Sequence, residues 1–132
     1  MASLGGAVQL MAAGIGDGVA PAVLRVAVTG ASVLPPAPVA LGWTATEEGG
    51  AAVRWTRRSR VGWRWLDRVD APLCEEREEY RVTVAVAGGL REAVTAAPVA
   101  QVTAADRVAG PVTVSVRQRG TFGESTQTEV VI

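Results

Sequence analysis

Glu79-Tyr80-Arg81-Val82-Thr83-Val84-Ala85-Val86, continued by Ala87-Gly88-Gly89-Leu90-Arg91-Glu92-Ala93-Val94-Thr95, is the stretch on which the fold turns. Tyr80, Val82, Val84 and Val86 alternate with Glu79, Arg81, Thr83 and Ala85. A period of two puts the first set on a buried face and the second toward water, which is the signature of a strand with one covered side. Gly88-Gly89 suits a primed two-residue turn, so Leu90 to Thr95 is expected to return as the partner strand of a hairpin.

The same alternation extends outward from this hairpin. Upstream, Val53 and Trp55 oppose Arg54 and Thr56, and Val39, Leu41 and Trp43 share a phase, which places Trp43 and Trp55 in the expected core. Downstream, Pro98 to Thr103 reads as a strand and Ala104 to Gly110 as a connection. Val112, Val114 and Val116 oppose Thr113, Ser115 and Arg117 in another strand, Gly120 to Ser125 is a glycine-containing loop, and Thr128 to Ile132 closes the chain as the last strand. No segment has convincing helical periodicity. Seven strands at this spacing predict an all-β, two-sheet antiparallel β-sandwich of immunoglobulin-like or fibronectin-like type.

Residues 7–13 and 22–28 are two further apolar runs, separated by a segment carrying Gly16, Asp17, Gly18 and Pro21, and they predict a loose N-terminal β-hairpin arm. Two strands alone are not stable in water, so this arm has to dock on the sandwich downstream, on a partner, or on a neighbouring domain. Pro35, Pro36 and Pro38 interrupt the pattern, because proline lacks the donor that a central strand needs. The expected division is therefore an arm, or the remnant of a preceding domain, at 1–34 and a sandwich at 35–132.

The chemistry available narrows the function. The 132 residues include no histidine and a single cysteine, Cys74, so imidazole proton shuttles, imidazole metal ligands and Cys-His nucleophile pairs are absent. Cys74 has no intramolecular partner and is expected as a buried thiol. Thirteen arginines balance thirteen acidic residues, and this neutrality argues against a nucleic-acid partner. Neither a secretory signal nor an apolar run long enough to span a bilayer is present, so a soluble, unexported chain without membrane insertion is expected. The acidic run Glu75, Glu76, Glu78 and Glu79 lacks the aspartate and glycine spacing of a calcium loop, and Gly14 to Gly18 lacks the lysine of a phosphate loop, so no cofactor or metal is expected. The chain reads as a non-enzymatic structural or binding module.

Candidate binding residues lie in two places. Trp63 and Trp65 flank Arg64, with Arg57 and Arg60 just before them, and interleaved indole and guanidinium groups mark either a sandwich edge or a recognition platform for protein or glycan. Phe122 is the one large apolar residue of the loop Arg119-Gly120-Thr121-Phe122-Gly123-Glu124-Ser125, and it either packs beneath that loop or anchors a partner.

Two resemblances sharpen this reading. Pro38-x-x-Leu41-x-Trp43, Val53-x-Trp55, Tyr80-x-Val82, Val112-x-Val114 and Gly123-Glu124-Ser125 before a final strand together resemble a fibronectin type III domain over residues 37–132. Val112 stands where that family usually has a tyrosine, no tyrosine corner is readable, and the segment Arg57 to Glu78 is longer than the family's usual connection. Separately, Val53-Arg54-Trp55-Thr56-Arg57-Arg58-Ser59-Arg60, Trp65-Leu66-Asp67, Asp70-Ala71-Pro72-Leu73, Glu75-Glu76 and Glu79-Tyr80-Arg81-Val82, preceded by Val28-Thr29-Gly30 and Leu34-Pro35-Pro36-Ala37-Pro38-Val39, are similar to the carboxy-terminal region of hub or baseplate proteins from phage tail tips and gene transfer agents. That similarity runs over residues 20–132. It implies a virion or phage-like particle assembled in the bacterial cytoplasm, with other tail or baseplate subunits or a second copy of the chain as partners, and a role in subunit assembly or host-surface attachment. A carbohydrate-binding module that stacks a cell-surface glycan on Trp63 and Trp65 is the alternative.

Overall fold

In the computed structural model, which describes residues 6–12, 14–16, 22–60 and 72–132, the Tyr80 to Val86 alternation lies in the middle of a sheet. The chain forms two compact units, Met1–Val33 and Leu34–Ile132. The first contains the expected hairpin, β1 (Ala7–Ala12) antiparallel to β2 (Ala22–Ala27), with Val8 opposite Val26, Leu10 opposite Leu24 and Ala12 opposite Ala22.

The second unit is the predicted all-β antiparallel sandwich. Its strands are β3 (Val39–Ala45), β4 (Ala51–Thr56), β5 (Glu79–Val86), β6 (Gly89–Thr95), β7 (Val99–Val102), β8 (Thr113–Gly120), β9 (Gly123–Glu124) and β10 (Thr128–Val131), with a short helix α1 (Ala104–Val108) between β7 and β8. One sheet has the order β3-β4-β7; the other has β10-β8-β5-β6, with β9 added to β8. The inward phases of β4, β5 and β8 meet between them: Ala51, Val53 and Trp55, then Tyr80, Val82 and Val84, then Val112, Val114 and Val116, joined by Val102 of β7. Each fully buried valine contributes about 1.5–3 kcal/mol. The Trp55 and Tyr80 rings meet edge to face, centroids 5.2 Å apart at 76°. Val112 and Ile132 exchange backbone hydrogen bonds of 3.2 and 2.9 Å, which carries the β8–β10 ladder one pair further.

Five details depart from the sequence reading. The β5–β6 turn is Ala87-Gly88, not Gly88-Gly89, because Val86 pairs with Gly89. Positive φ falls on Gly89 (151°) and on neither turn residue, so the turn is not of the primed type. The expected connection at Ala104 to Gly110 contains α1, whose N-cap Thr103 forms a capping box with Asp106. The sequence signal, Thr103-Ala-Ala-Asp106, is a short version of the Ser/Thr-x-x-Glu pattern. Cys74 is half-buried rather than buried, with its backbone at φ 61°. Two residues of the expected 120–125 loop pair with β8 as β9.

Trp43 is the fifth and largest departure: it is 39% exposed rather than in the core. The register of β3 against β4 shifts between Val39 and Gly42, with Ala40 at φ 51°; this bulge moves Val39, opposite Thr56, off the face that Leu41 and Trp43 share, and leaves the phase of Trp43 unchanged. Trp43 lies opposite Val53, but on an edge strand, and the Arg107 guanidinium covers its ring at 5.1 Å from the centroid. Arg107 also donates to the carbonyls of Gly49 and Gly50, both at 3.0 Å, so α1 is tied to the β3–β4 turn through one side chain.

Candidate interaction surface

Phe122 owes its position to a buried carboxylate. β8 runs to Gly120, turns through Thr121 and Phe122, and returns at Gly123, whose φ of 150° an L side chain rarely adopts. Glu75 lies beneath this turn with its side chain only 1% exposed. Its Oε2 accepts the Thr121 N–H at 2.9 Å, and its Oε1 accepts Arg60 Nε–H at 2.9 Å. Arg60 donates a second time, through Nη2 to the Cys74 carbonyl at 2.9 Å. A buried carboxylate is tolerable only when paired and hydrogen-bonded in this way. A Cβ on Gly120 would sit 2.7 Å from Glu75 Oε2 and 2.7 Å from Pro35 Cδ, so the close approach requires glycine. The turn is held from below, and Phe122 stands 58% exposed above it.

A second buried-edge contact lies near the start of β5. The Tyr80 hydroxyl donates to Glu78 Oε1 at 2.6 Å, and Arg57 Nε lies 3.7 Å from Glu78 Oε2. Burial, and then the Glu78 carboxylate, push the Tyr80 phenol well above its ordinary value, so it stays a neutral donor.

Across the outer face of the larger sheet runs a chain of alternating charges. Arg77 meets Glu79 at 3.1 Å, Glu79 meets Arg119 at 2.9 Å, Arg119 meets Glu124 at 3.6 Å, Glu124 meets Arg81 at 2.7 Å, and Arg81 meets Glu92. Glu124 first, then Glu92, raise the Arg81 pKa further above its already high value. Single exposed pairs contribute about 0.2–1 kcal/mol, but side chains held at both ends present a fixed pattern to a partner. Beside Phe122 this chain borders a polar pocket of about 250 Å³ lined by Glu75, Glu76, Arg77, Glu79, Arg119, Gly120 and Thr121. A separate apolar cleft of about 330 Å³ opens between β6 and β7, where the facing side chains include Ala93 and Ala100.

The sequence candidates therefore separate. Arg60 and Phe122 are linked through Glu75 and the β8–β9 turn, whereas Arg57 is engaged with Glu78. Both arginines serve internal carboxylates, so part of the basic run pairs with the acidic run downstream of it. Trp63, Arg64 and Trp65 lie outside the described residues. Sequence reasoning missed Glu75 as a single buried anchor, because it is one of four glutamates in five residues and only the fold distinguishes it. Among the described residues no three acidic or cysteine side chains converge as metal ligands.

No protein-family model matches the chain, and no curated protein matches it in sequence. Solved structures do. A segment of chicken tenascin with two fibronectin type III domains superposes with a TM-score of 0.52 at 15% identity, covering 96% of this chain and 62% of that one. The extracellular region of rat CD45, domains d3-d4, superposes with a TM-score of 0.53 at 6% identity, covering 100% of this chain and 65% of that one. The sandwich has a fibronectin type III-like fold. The chain spans less than two thirds of the length of either structure, and at these identities the likeness concerns fold alone. In this fibronectin type III-like frame, Phe122 tops the turn that leaves β8 and precedes the last strand, β10.

Proposed function

We propose that this chain is a non-enzymatic interaction module of a phage-like tail tip or baseplate, and that it engages a neighbouring subunit or the host surface through the sandwich end bearing Phe122. The observation that carries the reading is an exposed aromatic on a turn held by the buried Glu75 carboxylate, which is itself paired with Arg60. An aromatic whose support is already ordered loses little conformational entropy on binding, and aromatic anchors within a charged rim are where interface energy concentrates. The rim is the Arg77-Glu79-Arg119-Glu124 chain, which favours a partner of mixed charge over a polyanion. The similarity of residues 20–132 to the end of hub and baseplate proteins supports the particle context, with assembly in the bacterial cytoplasm.

Particles purified from producing cells provide the test, with the chain located by immunogold labelling. Labelling at the tail tip with wild type, and at least tenfold weaker labelling with Phe122→Ala at an unchanged melting temperature, is the expected result. Absence of the chain from purified particles defeats the particle context, and wild-type labelling with Phe122→Ala defeats the role of Phe122.

A further inference from the structure

The edge strands of the sandwich are of two kinds. Among the described residues β3, β7, β10 and β6 each have one side without a strand neighbour. β3 is broken by the bulge at Ala40, β7 has four residues and runs into the capped helix α1, and β10 has four residues and is fastened to the Pro38 carbonyl by the Thr128 hydroxyl at 2.7 Å. Short strands, bulges and covering elements are what keep a sheet edge from pairing with another chain. β6 has none of these. It runs seven residues without proline and pairs with β5 without a register shift from Gly89 to Thr95.

The turn decides which backbone groups of β6 face outward. A two-residue turn is closed by a hydrogen-bonded pair, here Val86 and Gly89, and along an antiparallel ladder such pairs alternate with pairs that share no bond. Gly89, Arg91, Ala93 and Thr95 therefore bond to β5, whereas Leu90, Glu92 and Val94 turn their N–H and C=O groups to the free edge. The side chains of the same three residues lie on the outer face, where Leu90 is 66% and Val94 52% exposed. Arg91 has the inner phase, and Asp106 of its own chain engages its guanidinium at 2.6 Å.

We propose that β6 is a self-pairing edge: a second copy of this chain adds its own β6 antiparallel across a two-fold axis at Glu92, and the two larger sheets run on as one. The register follows from symmetry. A two-fold axis normal to the sheet keeps the outer faces on one side, so it passes through a residue. An axis at Glu92 engages all three outward-facing residues and sets Leu90 opposite Val94 of the copy, apolar against apolar. An axis at Arg91 or Ala93 leaves one of the three unpaired within the strand and sets Glu92 against an apolar residue. The Glu92 register also brings two like charges together, which is unfavourable, but Arg81 of the same chain holds each carboxylate and offsets the repulsion. Main-chain hydrogen bonds supply the affinity of such strand addition. Seven residues at about 3.3 Å each, in a layer about 10 Å deep, cover only roughly 230 Å², against about 800 Å² per partner in a stable interface, so the pairing is weak and grows with concentration.

The test is a cross-link in the full 132-residue chain carrying Cys74→Ser, with glutathione disulfide as oxidant. Cα atoms of a hydrogen-bonded antiparallel pair lie about 5.5 Å apart, within the range of about 4.4–6.8 Å that a disulfide spans, so Glu92→Cys is expected to give a covalent dimer. Thr83 lies opposite Glu92 on the same face of β5. Three strand spacings, about 14 Å, separate it from the copy's Thr83, so Thr83→Cys is expected to cross-link at least tenfold less. Sedimentation equilibrium from about 10 μM to 1 mM is expected to show a reversible monomer–dimer equilibrium for the wild type. Glu92→Pro removes an N–H that faces the free edge and not β5, and is expected to weaken association at least tenfold. Leu90→Ser with Val94→Ser changes outer side chains alone, and is expected to weaken it at least threefold at an unchanged melting temperature. Equal cross-linking at Glu92→Cys and Thr83→Cys overturns the proposal, and so does a wild type that stays monomeric throughout that range. A dimer that neither edge variant weakens means that another surface pairs, which overturns it as well. None of these readouts involves Phe122 or a particle, so this proposal and the Phe122 surface stand or fall separately.

Discussion

The β1–β2 hairpin and the β5–β8 pair carry the same kind of alternation, yet one ends exposed on its apolar face and the other forms the centre of a core. Leu10 lies opposite Leu24 as Val84 lies opposite Val114, but the leucines are 52% and 63% exposed whereas the valines belong to the core. A period of two specifies a strand and the face that seeks cover; it does not specify the cover. Burial belongs to two faces, and its energy appears only when both are present.

The sharpest way to test this contrast is at the place where the two sheets touch through aromatics. Trp55→Ala removes the edge-to-face partner of Tyr80 and opens a cavity, and is expected to cost about 3–5 kcal/mol in urea denaturation followed by circular dichroism. A loss below about 1.5 kcal/mol means the Trp55–Tyr80 contact is not central to the core.

Gly120→Ala is the next largest. Its Cβ would meet Glu75 Oε2 and Pro35 Cδ at 2.7 Å, an overpacking expected to cost about 1–3 kcal/mol. A double-mutant cycle identifies the cause: in a Glu75→Ala background the cost of Gly120→Ala is expected to fall by half or more, and strict additivity rules out the carboxylate as the obstruction.

Gln118 tests the core from the polar side. It occupies the inward phase of β8 opposite Tyr80 and is fully buried, and neither its Oε1 nor its Nε2 finds a hydrogen-bond partner among the described residues. Gln118→Leu is expected to raise the stability of the sandwich by about 1–2 kcal/mol, since burying an unmet amide costs that much. A loss of stability instead means the amide is satisfied in the folded chain.

These positions also explain what could be read in advance. The longer strands of the sandwich and both strands of the hairpin were legible because apolar residues repeat at period two, whereas the two-residue β9 is too short to show any alternation. Trp43 was misplaced because phase does not tell an edge strand from a central one, and Val39 because a bulge at Ala40 shifts register without leaving a mark such as glycine or proline. Phe122 was legible as a loop aromatic. Glu75 as its anchor was not, because the Glu75–Thr121 bond spans forty-six positions and nothing local distinguishes Glu75 from Glu76, Glu78 or Glu79.

The cap of α1 gives a smaller effect. Thr103→Ala is expected to cost about 0.5–1 kcal/mol by freeing the first-turn N–H groups. It also has a pH signature. The Thr103 hydroxyl and then its backbone N–H, with Arg91 beyond, hold the Asp106 carboxyl below the usual carboxylate range. A depressed folded pKa stabilises the fold above the unfolded value of about 3.9, and that contribution drains away as pH falls from there toward the folded value. Melting curves between pH 3 and 6 are expected to show a shallower acid decline for Thr103→Ala than for wild type, and parallel curves exclude the cap as the source.

The smallest effect is the most informative about the comparison. Leu10→Ala combined with Leu24→Ala removes two leucines that, buried, would cost about 2–5 kcal/mol each. In the 132-residue chain the pair is expected to shift sandwich unfolding by less than about 0.5 kcal/mol, because surface not removed from water has no transfer energy to lose. A large loss in the 132-residue chain means the hairpin face is buried there, and the contrast between the two regions disappears. A loss within that bound means the alternation of β1 and β2 serves pairing between the two strands and not a core.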